Sequence, residues 1–288
     1  MSDRTTVLLT SMSLVQAEND TQLIDLWLHG RSAETKLAYR KNVRRFLDFV
    51  GKPLPQVTLR ELQAFVDQLT GAAASRRLAI AALKSLFSFG SKITYLRFNI
   101  AAVVRSPKVV DRLAERILAE ADVQKMIALT ESRRNQLLLR VLYGTGVRVS
   151  ELCGLTWRNL QPNGSTGQIT VFGKGGKTRA ILLKPKTWNV LLSLRANAGA
   201  ADPVFRSQKG GHLDVSQIRR IVYAAAARAG LPQKVSPHWL RHAHASHALD
   251  RNAPIHLVQV TLGHRSVSTT GRYLHARPAE SSSLYLPE

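Results

Sequence analysis

Apolar residues recur at helical spacing along the first hundred positions, and that periodicity restricts this stretch to an all-helical fold. Leu23, Leu26 and Leu28 form one set, Tyr39, Val43, Phe46 and Val50 a second, and Leu62, Phe65 and Leu69 a third. Four or five short helices are predicted up to Ile100, with Gly30, Gly51, Gly71 and Gly90 where they should stop. Ser75, Arg76, Arg77 and Lys84 decorate a further helix with polar, mostly basic side chains. From about Val104 to Glu115 the chain is rich in charge and carries Pro107, which suits a connection between domains. Beyond it come helices through Met126 and from Leu137 to Leu142. The period then shortens at about 168–172 and 178–183, around a Gly-Lys-Gly-Gly turn, which predicts a β-hairpin. After Val190 helical spacing returns to the end.

At 288 residues and 44% hydrophobic, the chain can bury a sizeable core, and its length favours two domains. Charge narrows the partner: 41 Lys and Arg face 19 Asp and Glu, leaving +22, and the pI is near 11.0. The excess runs through both halves, which suits a polyanion gripped from two sides. An RNA-binding role fits the charge as well. Cys153 is the one cysteine, so neither a disulfide within the chain nor a cysteine-based zinc site is expected. With neither a signal-peptide pattern nor a membrane-length apolar run, a soluble, intracellular, cytoplasmic protein is the expectation.

Several short motifs suggest chemistry. Arg148 precedes Ser150, a good N-cap, so the arginine is expected on a turn into a helix, its guanidinium free to face a phosphate. Gly173-Lys174-Gly175-Gly176-Lys177-Thr178 has a P-loop flavour, but Val171 stands where the first glycine belongs, and a strand follows where a helix is needed. Lys174 is therefore read as the tip of the hairpin. Ser236 and Pro237 open a helix on which His238 and Arg241 share a face. His238 and His242 have zincin spacing, yet Trp239 stands where the catalytic glutamate belongs, so no metal is expected. Gly263 reads as a helix C-cap that leaves His264 on a turn, and Tyr273 follows nine residues later beside Arg272.

Arginine, hairpin lysine, His-x-x-Arg, Gly-His and then a tyrosine at plus nine is an order that resembles the tyrosine recombinases, the phage integrase and Xer-type family. The specific motifs run from Leu142 to His275, whereas the N-terminal part resembles the family's core-binding domain in helical pattern and charge alone. Two departures stand out: Ile100 follows Asn99 where many relatives have proline, and Gly271 lies two residues before the tyrosine.

The resemblance implies a mainly α protein with a small β-hairpin or sheet, in which two domains form a C-shaped DNA clamp. It places a helical, SAM-like core-binding domain at residues 1–103, a linker at 104–115 and an α+β catalytic domain at 116–288. Tyr273 would be the nucleophile, forming a covalent 3′-phosphotyrosine. Arg148 and Arg241 would hold the non-bridging oxygens, Lys174 would protonate the leaving 5′ oxygen, His238 would assist proton transfer at the tyrosine, and His264 would hydrogen-bond the phosphate. Lys36, Arg40, Arg44, Arg76, Arg77 and Lys84 are the expected DNA-binding residues. No cofactor, metal or ATP is implied. Family behaviour implies double-stranded DNA carrying specific sites, a Holliday junction intermediate and a homo-tetramer. The tetramer would be joined by C-terminal tails, here bearing Leu284, Tyr285 and Leu286, with accessory proteins possible. Tyr285 is a rival nucleophile, but it lacks the nine-residue offset from His264. Two competing functions are a type IB topoisomerase, which shares the chemistry and relaxes supercoils, and a non-catalytic DNA-binding regulator.

Overall fold

The computed structural model describes residues 16–108, 112–173, 178–231 and 235–274. The chain divides into two compact units, Met1–Val110 and Asp111–Glu288.

The first unit is built from α1 (Asp20–Leu28), α2 (Ala33–Val50), α3 (Leu59–Asp67) and α4 (Ala73–Lys92). Ser32 caps α2, Gly51 ends it in the left-handed conformation, and Thr58 and Glu61 exchange hydrogen bonds to start α3. The core gathers Leu23, Phe46, Leu62, Phe65, Leu83 and Phe87. Phe46 meets Phe65 and Phe87 edge-on, with centroids 5.1 and 6.1 Å apart. Two helices are longer than the sequence suggests, at 18 and 20 residues. The reason for the second is Gly90, which does not stop α4 but lies buried within it. A Cβ there would come within 2.8 Å of Leu96, so the glycine serves close packing.

The second unit opens with α5 (Glu120–Ala128), α6 (Arg133–Thr145) and the single-turn α7 (Val149–Cys153). An antiparallel sheet in the order β1 (Leu160–Asn163), β2 (Thr166–Phe172), β3 (Thr178–Leu183) follows. Ile169 pairs with Leu160 on one side and Ile181 on the other, and Ile169, Val171, Ile181 and Leu183 turn to the core. The hairpin is where the sequence predicts it; β1 is an addition. Its four residues include Pro162, which removes a ladder donor and is tolerated here on an edge strand. Lys174, at the expected tip, lies outside the described residues.

The remaining helices are α8 (Pro185–Arg195), α9 (Val215–Arg228), α10 (Pro237–Asp250), α11 (Ile255–Leu262) and α12 (Val267–Gly271). α10 packs on α6 and α11, with Leu240, Ala243 and Ala245 fully buried. Alanine at two of those positions lets the helices approach closely, so polar groups of one reach the backbone of the next. Among the described residues, no helix is long and apolar enough to cross a membrane.

Candidate active site

Five of the six predicted catalytic residues line one cleft of about 320 Å³: Arg148, His238, Arg241, His264 and Tyr273. The sixth, Lys174, lies outside the described residues. Two other surface hollows, of about 360 and 390 Å³, contain none of these side chains.

The two arginines are held differently. Arg241 rises from α10 almost wholly buried, an unusual fate for arginine. Its Nη1 donates to the Gly146 carbonyl at 2.5 Å and its Nη2 to the Leu262 carbonyl at 2.6 Å. Burial, with Arg148 nearby, pulls its pKa down to about 10, so it stays a cation at neutral pH. The acceptor at position 146 requires glycine twice over. Gly146 ends α6 at φ +61°, and a Cβ there would come within 2.6 Å of Leu262 and 2.8 Å of His244. His244 in turn bonds the Tyr143 carbonyl at 2.8 Å, which fixes the same turn.

Arg148 occupies the N-cap of α7, a position the sequence assigns to Ser150. Its backbone N–H donates to Glu151 at 2.7 Å, its Nη1 to the same carboxylate at 3.0 Å, and its Nη2 to the Gly263 carbonyl at 3.1 Å. Glu151 also takes a two-pronged contact from Arg179 of β3, at 2.9 and 2.8 Å, and Arg179 Nε donates to the Thr261 carbonyl at 2.7 Å. Burial pushes the Glu151 carboxyl up, but the hydrogen bonds from Arg179 and Arg148 win and leave it below the usual range. It is therefore ionised, and it anchors α7, β3 and the end of α11 to one another.

Gly263 ends α11 at φ +64° and turns the chain so that His264 faces the cleft. His264 Nδ1 is 2.9 Å from the hydroxyl of buried Thr270, and its ring lies parallel to that of Tyr273, 6.4 Å away. Tyr273 is 5% exposed, packed among Leu113, Ile117, Ala245, Val258 and Leu262. Its hydroxyl lies 2.8 Å from Nδ1 of His242. Burial raises the phenol's pKa against the pull of Arg241 and Arg272, so the free protein carries a neutral phenol. The ring beside the hydroxyl is that of His242; His238, exposed on the first turn of α10, lines the same cleft with its ring centroid 6.4 Å from that of His242.

Sequence reasoning did not single out Glu151, Arg179 or Arg116, the last of which also lines the cleft from the turn at Ala114–Arg116, and it met His242 only as half of a rejected metal motif. Glu151 had a signal, because an acid three residues after an N-cap commonly closes a capping box. Arg179 and His242 had none, since their partners lie 28 and 31 residues away in the chain.

The expected DNA-binding residues sit on two helices of the first unit. Lys36, Arg40 and Arg44 follow one another at four-residue steps along α2, with Arg44 exposed and Arg40 paired to Asp25 at 2.7 Å. On α4, Arg77 is exposed and Arg76 is partly buried, while Lys84 donates to the Val104 carbonyl at 2.8 Å and thereby ties α4 to the segment beyond Ala101.

Gly271 ends α12, and a Cβ there would meet nothing within 4 Å. Gly271→Ala is therefore sterically free and stiffens the turn that delivers Tyr273 by about 1 kcal/mol. It is expected to slow DNA cleavage up to about fivefold with DNA affinity unchanged; equal cleavage rates would contradict the idea that this glycine loosens the segment.

His242, His244 and His264 all have pKa values near 4, chiefly through burial and then through neighbouring charges. The folded state therefore resists protonation that the unfolded chain accepts from pH 6.5 downward, and stability drains away as pH falls from there towards 4. Each histidine accounts for about 2 kcal/mol of that loss at pH 5, and mutual repulsion keeps the total below three times this. Urea unfolding at pH 7 and pH 5 measures it; an unmoved midpoint would contradict the burial of these rings in their neutral form.

Against known proteins, residues 116–280 match the phage integrase family and residues 23–92 match its N-terminal SAM-like domain. The tyrosine recombinase XerC of Xylella fastidiosa strain M23 is 30% identical over 260 residues, covering 85% of this chain and 87% of the relative. The tyrosine recombinase XerD of Shewanella oneidensis is 32% identical over 289 residues, covering 92% and 94%. The crystal structure of XerA recombinase superposes with a TM-score of 0.54 at 28% identity, covering 93% of this chain and 99% of that one. A lambda integrase tetramer bound to a Holliday junction shares the fold, with a TM-score of 0.73 at 20% identity over 91% and 78% of the two chains. The chain belongs to the phage integrase family of tyrosine recombinases, enzymes that cut and rejoin DNA, and its likeness is to the Xer branch.

Proposed function

We propose that this chain is a site-specific recombinase that cuts DNA with Tyr273 and passes the broken strand to a partner duplex through a Holliday junction. The observation that carries this reading is the tyrosine hydroxyl in a cleft beside two arginines whose guanidinium groups are fixed by backbone carbonyls. Such donors are oriented before the substrate arrives, so charge that builds on the phosphorane-like transition state meets a prepared site. Attack by the tyrosine oxygen forms the phosphotyrosine bond and breaks the bond from phosphorus to the 5′ oxygen, which Lys174 protonates. Arg148 and Arg241 hold the non-bridging oxygens and His264 hydrogen-bonds the phosphate, while His238, which the resemblance gives to proton transfer at the tyrosine, lines the same cleft. The cut strand's bond energy is kept in the phosphotyrosine, so religation needs no ATP.

In this reading the basic side chains of α2 and α4 grip the flanking duplex, and residues 104–115 connect the two domains. Four protomers assemble on two sites, joined by C-terminal tails; Leu284, Tyr285 and Leu286 lie outside the described residues. Accessory proteins would act on that assembly. Binding by six to ten phosphate contacts should weaken about 10³- to 10⁵-fold between 50 and 200 mM salt. Affinity that stays flat across that range would contradict the electrostatic grip.

The functional test starts by selecting, from randomised duplex DNA, the sequence this chain binds best. A plasmid carrying two copies of it should yield deletion or inversion products. Relaxed plasmid with no exchange of flanking DNA would point to topoisomerase-like action, and intact supercoiled plasmid to a DNA-binding regulator.

A further inference from the structure

We propose that His242 is a catalytic residue, the group that takes the phenolic proton from Tyr273 as the tyrosine oxygen bonds to phosphorus. The inference rests on the reading of Tyr273 as the nucleophile and adds to it the fate of the proton. Three histidines line the cleft, and one of them is presented to the reacting oxygen. His242 Nδ1 lies 2.8 Å from the hydroxyl, with the two rings inclined at 45°. The His264 ring lies parallel to the phenol ring with its centroid 6.4 Å away, and its Nδ1 is committed to the Thr270 hydroxyl. The hydrogen-bond partner of the hydroxyl is His242, whose ring centroid lies 5.7 Å from that of the tyrosine, and His238 neighbours His242 on the same helix.

Acceptance needs a neutral ring protonated on Nε2, with Nδ1 free. The charged and titratable groups around His242 favour that form: His238 and Arg241 on its own helix, Arg116 from the turn before α5, and Arg272 and Tyr273 from the end of α12. With burial, they hold its pKa near 4 and keep it neutral through the physiological range. In the free protein the proton stays on the phenol, because an acid raised above its usual 10 cannot protonate a base near 4. Transfer belongs to the attack. Once the oxygen shares a lone pair with phosphorus its proton becomes strongly acidic, and the phosphate's negative charge offsets the arginines that disfavour imidazolium. The P–O5′ bond breaks, the 5′ oxygen gains a proton from Lys174, and His242 holds the phenolic proton as imidazolium. On religation a 5′ hydroxyl returns its proton to the lysine, and His242 returns its own to the tyrosine. α10 would thus carry both the proton acceptor and, at the preceding residue, Arg241, which braces the phosphate.

The test is single-turnover cleavage, between pH 6 and 9, of a nicked duplex carrying the selected sequence. The unaltered chain is compared with His242→Asn, whose amide oxygen sits near the place of Nδ1 and accepts a hydrogen bond but not a proton. Expected is a loss of about 10²-fold or more at pH 7, with the variant's rate climbing roughly tenfold per pH unit as the phenolate fraction grows, against a flatter profile for the unaltered chain. A variant within threefold of the unaltered chain, or slower by a constant factor at every pH, would overturn the proposal; the latter would mean that the contact only positions the ring. Thermal unfolding and DNA affinity establish that the variant is folded, and His242→Gln carries the same comparison if the asparagine form is not. Failure of the unaltered chain to form any covalent adduct would instead overturn the reading of Tyr273 on which the proposal rests.

Discussion

Tyr273→Phe is expected to abolish covalent attachment to DNA completely while leaving binding intact. The substitution removes one oxygen from a ring packed among Leu113, Ile117, Ala245, Val258 and Leu262, so the apolar contacts persist. What it costs the fold is the hydrogen bond to His242 Nδ1, a net loss of about 1 kcal/mol. What it costs the reaction, in the proposed reading, is the nucleophile itself, for which no neighbouring group is expected to substitute: besides Leu113, the cleft's remaining described lining offers guanidinium, imidazole and the hydroxyl of Thr269. Gel shift at low salt should match the unaltered chain, and denaturing electrophoresis should show no adduct. A residual adduct would mean that another residue, with Tyr285 the first suspect, performs the attack.

Arg241→Lys should be nearly as severe, slowing cleavage by about 10²- to 10³-fold, or roughly 3 to 4 kcal/mol in the barrier. Arginine has five donor hydrogens in a rigid plane. Here one goes to the Gly146 carbonyl and one to the Leu262 carbonyl, so the guanidinium is fixed and three remain for the phosphate. A lysine ammonium keeps the charge but not the fork, and it cannot satisfy two carbonyls on opposite sides while meeting the phosphate with a planar face. The carbonyl left without a donor costs about 1 to 3 kcal/mol of stability. The rate must therefore be read under conditions where urea unfolding shows the variant folded. A loss below about tenfold in a folded variant would mean that Arg148 alone carries the phosphate and that Arg241 is chiefly a brace between α6 and α11.

Much of this site is written in local sequence. The turn that presents His264 follows from Leu-Gly at the end of a helix, and the helix start before His238 follows from Ser236-Pro237. The hairpin follows from period-two residues on either side of glycines. These features depend on residues within a few positions of one another, and the structure has each where the sequence predicts it. Legibility ends where partners are distant. Nothing near Arg241 announces that it is buried, since its burial depends on the carbonyls of residues 146 and 262. Gly90 reads as a stop because glycine usually weakens helices, yet the side chain of Leu96 leaves no room for a Cβ. Ser150 reads as the cap of α7 because serine caps well, yet Arg148 takes that place while Glu151 accepts its backbone N–H. His242 is the most instructive omission: it draws attention in the sequence only as half of a rejected metal motif, and its contact with Tyr273 exists because α12 returns the chain to α10.

The most direct measurement of the central claim is to identify the atom that carries the DNA. The unaltered chain would be incubated in EDTA with a nicked duplex bearing its selected sequence, denatured, digested with nuclease and then with trypsin, and the nucleotide-bearing peptide sequenced by fragmentation in a mass spectrometer. Trypsin cuts after Arg272 but not at the Arg277-Pro278 bond, so the peptide holds both Tyr273 and Tyr285 and the fragment series must separate them. The account predicts a 3′-phosphonucleotide on Tyr273. The same mass on Tyr285, or DNA recovered with no peptide attached under conditions where binding is saturated, would contradict it.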